Sequence, residues 1–137
     1  MSNDNTEADQ DTRITLFQAL GGEPTLQALV GAFYRHMQRP EYAFLLSLHP
    51  DLARAEDRLY KYLTGWTGGP QLFVQEFGHP MLRARHLHVS VDTRGRDEWL
   101  ACMRDAMQDT VPLAELRAIL EEALAPLADH MRNVPEA

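Results

Sequence analysis

The sequence predicts an all-α fold, and three observations carry that prediction. Apolar residues return every three or four positions in four separate segments, as amphipathic helices require. Gly21-Gly22 and Gly68-Gly69-Pro70 fall between those segments and punctuate them. Only "HLHVSV", residues 86–91, alternates as a strand would, and one such stretch cannot form a sheet alone. No internal repeat is visible.

The elements follow in order. Residues 1–12, MSNDNTEADQDT, hold four acids and no large apolar residue after Met1, so they cannot offset their ordering entropy by burial and are expected to form a disordered acidic tail. A single domain is expected over 13–137. Within it, residues 14–20 read as one or two helical turns closed by Gly21-Gly22. Pro24 suits a first helical turn, and Leu26, Leu29, Val30, Phe33 and Met37 form one stripe, which predicts a helix over 24–38. A short helix is expected at 41–48, ending at Pro50. Leu52, Ala55, Leu59, Tyr62, Leu63 and Trp66 form the stripe of a helix over 52–66, which the double glycine stops. The region 71–95 is weaker, with a short helix over 79–86 and then a loop. Trp99, Cys102, Met103 and Ala106 face inward from a helix over 96–110. The last helix, 113–132, carries Leu113, Leu116, Leu120, Leu124, Leu127 and Met131 inward and is expected to bend near Pro126, which removes one backbone hydrogen bond.

A chain of 137 residues can bury a core without staples. Its formal net charge of -7 argues against nonspecific nucleic-acid binding, which needs a basic face to neutralise phosphates. The single cysteine, Cys102, excludes an internal disulfide. No stretch approaches the ~20 apolar residues of a membrane span or the pattern of a secretory signal, so no membrane association and a cytoplasmic location are expected.

Against that acidic background, "HPMLRARHLHVSV" at 79–91 concentrates three histidines and two arginines. Zinc held by His79, His86 and His88 is one reading, although the regular spacing of zinc ligands is absent. Haem is a second: one histidine would take the iron and the neighbouring arginines would face the negatively charged propionates. A solvated polar loop is the third. The flanking helices, rich in Leu, Phe, Tyr and Trp, are compatible with the apolar slot that haem requires. Other chemistry is missing: there is no phosphate-binding glycine loop, nucleophile elbow, H-E-x-x-H or paired-cysteine motif. Glu56, Asp57, Glu121 and Glu122 read as solvated helix charges with Arg54 or Arg58 as near neighbours.

Taken in order, "LFQALGG" at 16–22, "FY" at 33–34, "YLTGWTGGP" at 62–70, "GHPMLRARH" at 78–86 and "DEWLACM" at 97–103 resemble the group II truncated haemoglobins. The resemblance spans about residues 14–131. It implies a two-over-two helical sandwich around haem b, with His86 as the proximal iron ligand. It places Tyr34 and Trp99 beside the distal ligand, Ala55, Leu59 and Tyr62 in the haem pocket, and Arg58 and Arg85 near the propionates. His49 stands where many globins place phenylalanine, which adds a third distal donor to Tyr34 and Trp99. Its ordinary pKa near 6.5 would put a charge change close to neutral pH. Since Ala55 occupies the position of the distal histidine of vertebrate globins, distal hydrogen bonds must come from Tyr34, Trp99 or His49.

The function this implies is binding of dioxygen and other small ligands, with oxygen or redox handling, nitric-oxide dioxygenation or peroxidase-like chemistry as candidate activities. Any catalytic cycle would need an external reductant, so an electron-donor reductase is an expected partner. The competing reading is a haem-free helical interaction or sensor domain that uses the histidine segment as a partner-binding loop.

Overall fold

The computed structural model describes residues 14–86 and 90–134. The acidic start and His88 therefore lie outside the described residues. Eight α-helices run in order among those described: α1 (Leu16–Leu20), α2 (Glu23–Met37), α3 (Ala43–Ser47), α4 (Leu52–Trp66), α5 (Leu72–Phe77), α6 (Leu82–Arg85), α7 (Thr93–Thr110) and α8 (Ala114–His130). A 3-10 turn at Pro40–Tyr42 leads into α3. None of these helices is long and apolar enough to cross a membrane.

Local chemistry starts and stops these helices. Thr15 and Gln18 cap α1 reciprocally, side chain to backbone in both directions. Gly21 ends it with φ 113°, a left-handed conformation open to glycine at little cost. Asp51 and Asp92 cap α4 and α7 through the backbone N–H groups of Arg54 and Gly95. At the double glycine beyond α4, a Cβ on Gly69 would lie 2.7 Å from the ring of Phe17. Glycine there lets the α1 turn lie directly on the end of α4, where the Phe17 N–H donates to the Thr67 carbonyl at 2.8 Å.

Two helix pairs make the body of the molecule. α2 packs on α4, α7 packs on α8, and the most extensive contact is α2 against α7. The α2 stripe of Leu26, Leu29, Val30, Phe33 and Met37 is between 0% and 2% exposed. Cys102, Met103, Ala106 and Met107 meet it from α7, and Leu120 and Leu124 from α8. Each such large side chain contributes about 1.5–3 kcal/mol by leaving water. The Cys102 thiol, pushed up to about 12 by burial, donates to the Phe33 carbonyl at 3.3 Å. Two polar ties join the turn after α2, and α2 itself, to α7: His36 Nε2 contacts Asp109 at 2.6 Å, and the Tyr42 hydroxyl donates to Asp105 at 2.5 Å.

The departures from expectation are informative. α5, of sequence LFVQEF, fits within six residues and is too short to show a helical period. The helix expected over 79–86 is confined to α6. α7 begins at Thr93, three residues earlier than its apolar stripe indicates, because Asp92 supplies the cap. α8 spans Pro126 as the single helix expected over that stretch. Leu113 is 60% exposed at its N-cap and does not face the core.

The α4 stripe differs in kind from that of α2. Only Leu63 is buried against protein, whereas Leu52, Ala55, Leu59, Tyr62 and Trp66 remain partly exposed although they carry the same periodicity. Most of this face borders a cavity.

Candidate functional site

That cavity measures about 440 Å3 and is walled mainly by apolar side chains, including Leu45, Leu59, Leu63, Phe73, Leu82, Val91 and Leu127. Its size is ordinary for a small-molecule or cofactor pocket. Tyr34, His49, Ala55, Arg58, Leu59, Tyr62, Arg85, His86 and Trp99 all line it. α2, α4, α6, α7 and the turn after α3 bring these nine together from distant parts of the chain.

His79 is exposed and stands outside the cavity. Among the described residues, no group of three or more His, Cys, Asp or Glu is arranged to hold a metal ion.

His86 directly follows α6. Its Nδ1 lies 2.7 Å from the carbonyl oxygen of Leu82, one turn back. A carbonyl can only accept, so Nδ1 carries the proton and Nε2 presents a lone pair. Nε2 has no partner among the described residues. The residue that secures the His86 carbonyl comes from far away in sequence. The Asn133 side-chain N–H group donates to the His86 carbonyl at 3.1 Å, and its Oδ1 accepts from the Val91 N–H at 2.9 Å.

Two hydrogen-bond donors face the same space. The Tyr34 hydroxyl and the Trp99 indole N–H have no acceptor among the described residues, although both side chains are largely buried in an aromatic group around Phe33. Phe33 meets the Tyr34 ring edge-on at 5.0 Å and the Trp99 ring at 5.4 Å. Burial raises the Tyr34 pKa, so its hydroxyl keeps its proton. Tyr62 is also raised by burial and packs edge-on against Phe73 at 6.1 Å.

His49 has a different geometry from that expected of a donor. Its Nδ1 donates to the Leu45 carbonyl at 2.9 Å, so the neutral ring turns a lone pair, not a proton, outward at Nε2. Burial lowers its pKa from 6.5, with His86 nearby adding a smaller push in the same direction.

The cations at the cavity divide into engaged and available. Arg85 donates from Nε to the Pro80 carbonyl at 2.6 Å and from Nη2 to the carbonyls of Phe77 and His79 at 3.2 and 3.3 Å. It thus holds together the turn between α5 and α6, with its guanidinium 5.2 Å from the Phe73 ring centre. Arg96 pairs with Asp97 and Asp129 at 3.0 and 2.5 Å. Arg58 lies 4.8 Å over the Phe77 ring and has no carboxylate partner among the described residues. Arg54, one turn earlier on α4, also lines the cavity without one. Its i,i+4 spacing from Arg58, beside the apolar stripe, was the available signal for it. Asn133 gave no such signal, because its contacts lie 42 and 47 residues away in sequence.

A helical body around an apolar cavity, with an unprotonated imidazole nitrogen and hydrogen donors at its walls, defines a helical protein with a pocket of the kind that takes a small molecule or cofactor. The chain belongs to the globins, specifically the bacterial-like globin family, whose model matches residues 15–133. Its relatives place it with the group II truncated haemoglobins. It is 39% identical over 117 residues to the Group 2 truncated hemoglobin YjbI of Bacillus subtilis, covering 85% of this chain and 87% of that one. The Group II 2-on-2 hemoglobin from Agrobacterium tumefaciens superposes with a TM-score of 0.86 at 44% identity, covering 89% of this chain and 96% of that one. The Group II truncated hemoglobin from Bacillus anthracis gives a TM-score of 0.83 at 38% identity, covering 92% and 96%. Globin membership implies haem-based binding of small ligands.

The residues fit that group. The walls are apolar, as a macrocycle requires; His86 Nε2 is the acceptor type that binds iron; and the free donors at Tyr34 and Trp99 lack only a polar ligand.

Proposed function

We propose that this protein holds haem b through His86 Nε2 and binds dioxygen and other small ligands at its iron, with Tyr34 and Trp99 as distal donors. Ala55, Leu59 and Tyr62 form part of the apolar wall, and Arg58, together with Arg54, faces the propionates. Arg85 contributes chiefly by fixing the turn that carries His86. When bound, haem would supply an iron at which small ligands, some of them carrying partial negative charge, are taken up. The chain's part is to exclude water, orient the imidazole and offer hydrogen donors to that charge.

The observation that carries this reading is the Nδ1–H of His86 fixed on the Leu82 carbonyl, which aims the ring's chemistry through Nε2 within an apolar cavity. Such a bond fixes the tautomer and raises the basicity of a metal-ligating histidine. Turnover as nitric-oxide dioxygenation or peroxide reduction would draw its electrons from a separate reductase.

Absorption spectroscopy of the purified chain, before and after titration with haemin, tests the proposal. A Soret band saturating at one haem per chain is the expected result. Failure to take up haem would overturn it and favour a haem-free interaction domain.

A further inference from the structure

We propose that Asn133 is a positioning residue for the iron ligand: it clasps the backbone that follows His86 and so keeps this histidine on the iron when a ligand on the opposite side weakens the bond, as nitric oxide does. The proposal rests on the reading of the cavity as a haem pocket.

The segment that carries His86 has little to hold it by itself. α6, Leu82–Arg85, is four residues long, and a single helical turn is marginal on its own. The chain enters it at Met81 with φ 45°, a left-handed conformation that is costly for a residue with a side chain. The Met81 side chain is 59% exposed, so its burial offsets little of that cost. On this side Arg85 ties the turn to the carbonyls of Phe77, His79 and Pro80. The His86 N–H and Nδ1 both reach the Leu82 carbonyl, at 3.1 and 2.7 Å, so they too lean on the short helix.

Asn133 supplies a hold from outside. Its side-chain N–H donates to the His86 carbonyl at 3.1 Å, and its Oδ1 accepts from the Val91 N–H at 2.9 Å. Its backbone N–H donates in turn to the Val91 carbonyl at 2.9 Å. Val91, a cavity-lining residue, is thus bound through both its N–H and its carbonyl to the residue that binds His86. Asn133 follows α8, whose Leu120, Leu124 and Ala128 are buried, so the clasp is anchored to the body of the molecule. Fixing the His86 carbonyl fixes the peptide plane that follows it, and with it the direction in which Cα carries the imidazole. Nitric oxide on a ferrous haem weakens the bond opposite to it. A histidine on an unsupported turn can then swing away, whereas one held on both sides stays within reach and bonds again.

The measurement compares the ferrous holoprotein of the parent with Asn133→Ala and Asn133→Asp. Without added ligand, the iron–histidine stretching band in resonance Raman spectra should move to lower frequency and broaden in Asn133→Ala, because the ring then takes several orientations. With nitric oxide, the parent should give the six-coordinate signal in electron paramagnetic resonance. The ratio of five- to six-coordinate signal should rise about fivefold in Asn133→Ala, the worth of one hydrogen bond. Asn133→Asp, which can accept from Val91 but cannot donate to His86, should shift in the same direction. An iron–histidine band unchanged in Asn133→Ala, or a parent already five-coordinate with nitric oxide, would overturn the proposal. A further readout needs no haem. In the empty protein the Val91 amide should exchange slowly in the parent and in Asn133→Asp but rapidly in Asn133→Ala, and rapid exchange in the parent would refute the clasp. If the parent takes up no haem, the reading of the pocket fails and this proposal with it; a haem-binding parent whose band the variant leaves unmoved sinks this proposal alone.

Discussion

Asn133 and His86 are joined by a 3.1 Å hydrogen bond from the side chain of the first to the carbonyl of the second, across 47 residues of sequence. The same side chain accepts from Val91, and the Asn133 backbone N–H donates to the Val91 carbonyl at 2.9 Å. One residue beyond the end of α8 therefore holds both ends of the segment that leaves His86. Removing the side chain in Asn133→Ala should speed haem loss to a competing acceptor roughly tenfold, whereas Asn133→Asp, which keeps the acceptor for Val91, should lose less. Equal rates in all three proteins would show that this clasp does not steady the histidine.

His86→Ala should abolish stable haem retention, and added imidazole should partly restore it by occupying the vacated position. His79→Ala, altering an exposed ring outside the cavity, should leave the spectrum unchanged. His88→Ala is expected to behave like His79→Ala. Retention of haem by His86→Ala together with loss in either control would reassign the ligand.

The two arginines should separate by readout. Arg58→Ala removes a partly exposed cation, so haem loss should accelerate by no more than about fivefold and become less sensitive to salt. Arg85→Ala leaves the carbonyls of Phe77, His79 and Pro80 without their donor. Its unfolding free energy in urea should fall by about 1–3 kcal/mol even without haem. A variant pair with the opposite pattern would exchange these roles.

Tyr34→Phe removes a hydrogen donor with little change in volume, and Trp99→Phe removes one together with part of the ring. Each should raise the dioxygen dissociation rate about fivefold, and the double variant should fall short of the product because the donors share one acceptor. Carbon monoxide, which takes little negative charge, should leave at nearly the parent rate. Stopped-flow ligand replacement provides both rates, and equal acceleration for the two gases would point to altered packing instead.

A pH dependence follows from Asp129, whose carboxyl is held below its usual 3.8 by bonds to Arg96 and Arg132. A carboxyl with a lower pKa in the folded state adds stability that is present above its unfolded value and is lost as pH falls through the folded one. Asp129→Asn should therefore be less stable than the parent at neutral pH, with the gap closing as pH drops below about 4. Urea denaturation at a series of pH values measures that gap, and a constant difference would remove the carboxylate from the account.

Legibility in the sequence followed the range of each interaction. The α2 stripe from Leu26 to Met37 was readable because burial and period coincide on one element. The cavity-facing stripe of α4 was equally readable as a helix, but periodicity does not distinguish a face packed on protein from a face that lines a cavity. α5 was missed because six residues between turns hold fewer than two full turns. The convergence of Tyr34, Trp99 and His86 on one cavity came through the family resemblance, since no local pattern links them. The His49 tautomer depends on the Leu45 carbonyl, and the engagement of Arg85 on three carbonyls, so both required backbone geometry. Asn133 was invisible for the same reason.

The partly uncovered apolar face of α4 also bears on how the chain survives before it is loaded. Opening α2 would expose Leu26, Phe33 and Met37, which pack on protein, whereas much of the α4 face lines the cavity, so without a bound cofactor its local opening would forfeit less packing and require less free energy. Amide hydrogens in α4 should consequently exchange earliest among the long helices of the empty protein. A cofactor seated against Ala55, Leu59 and Tyr62 would close that route, adding protection in proportion to how tightly it binds. Protease susceptibility within α4 would then distinguish empty from filled molecules, and the chains that a cell clears first would be those still waiting for haem.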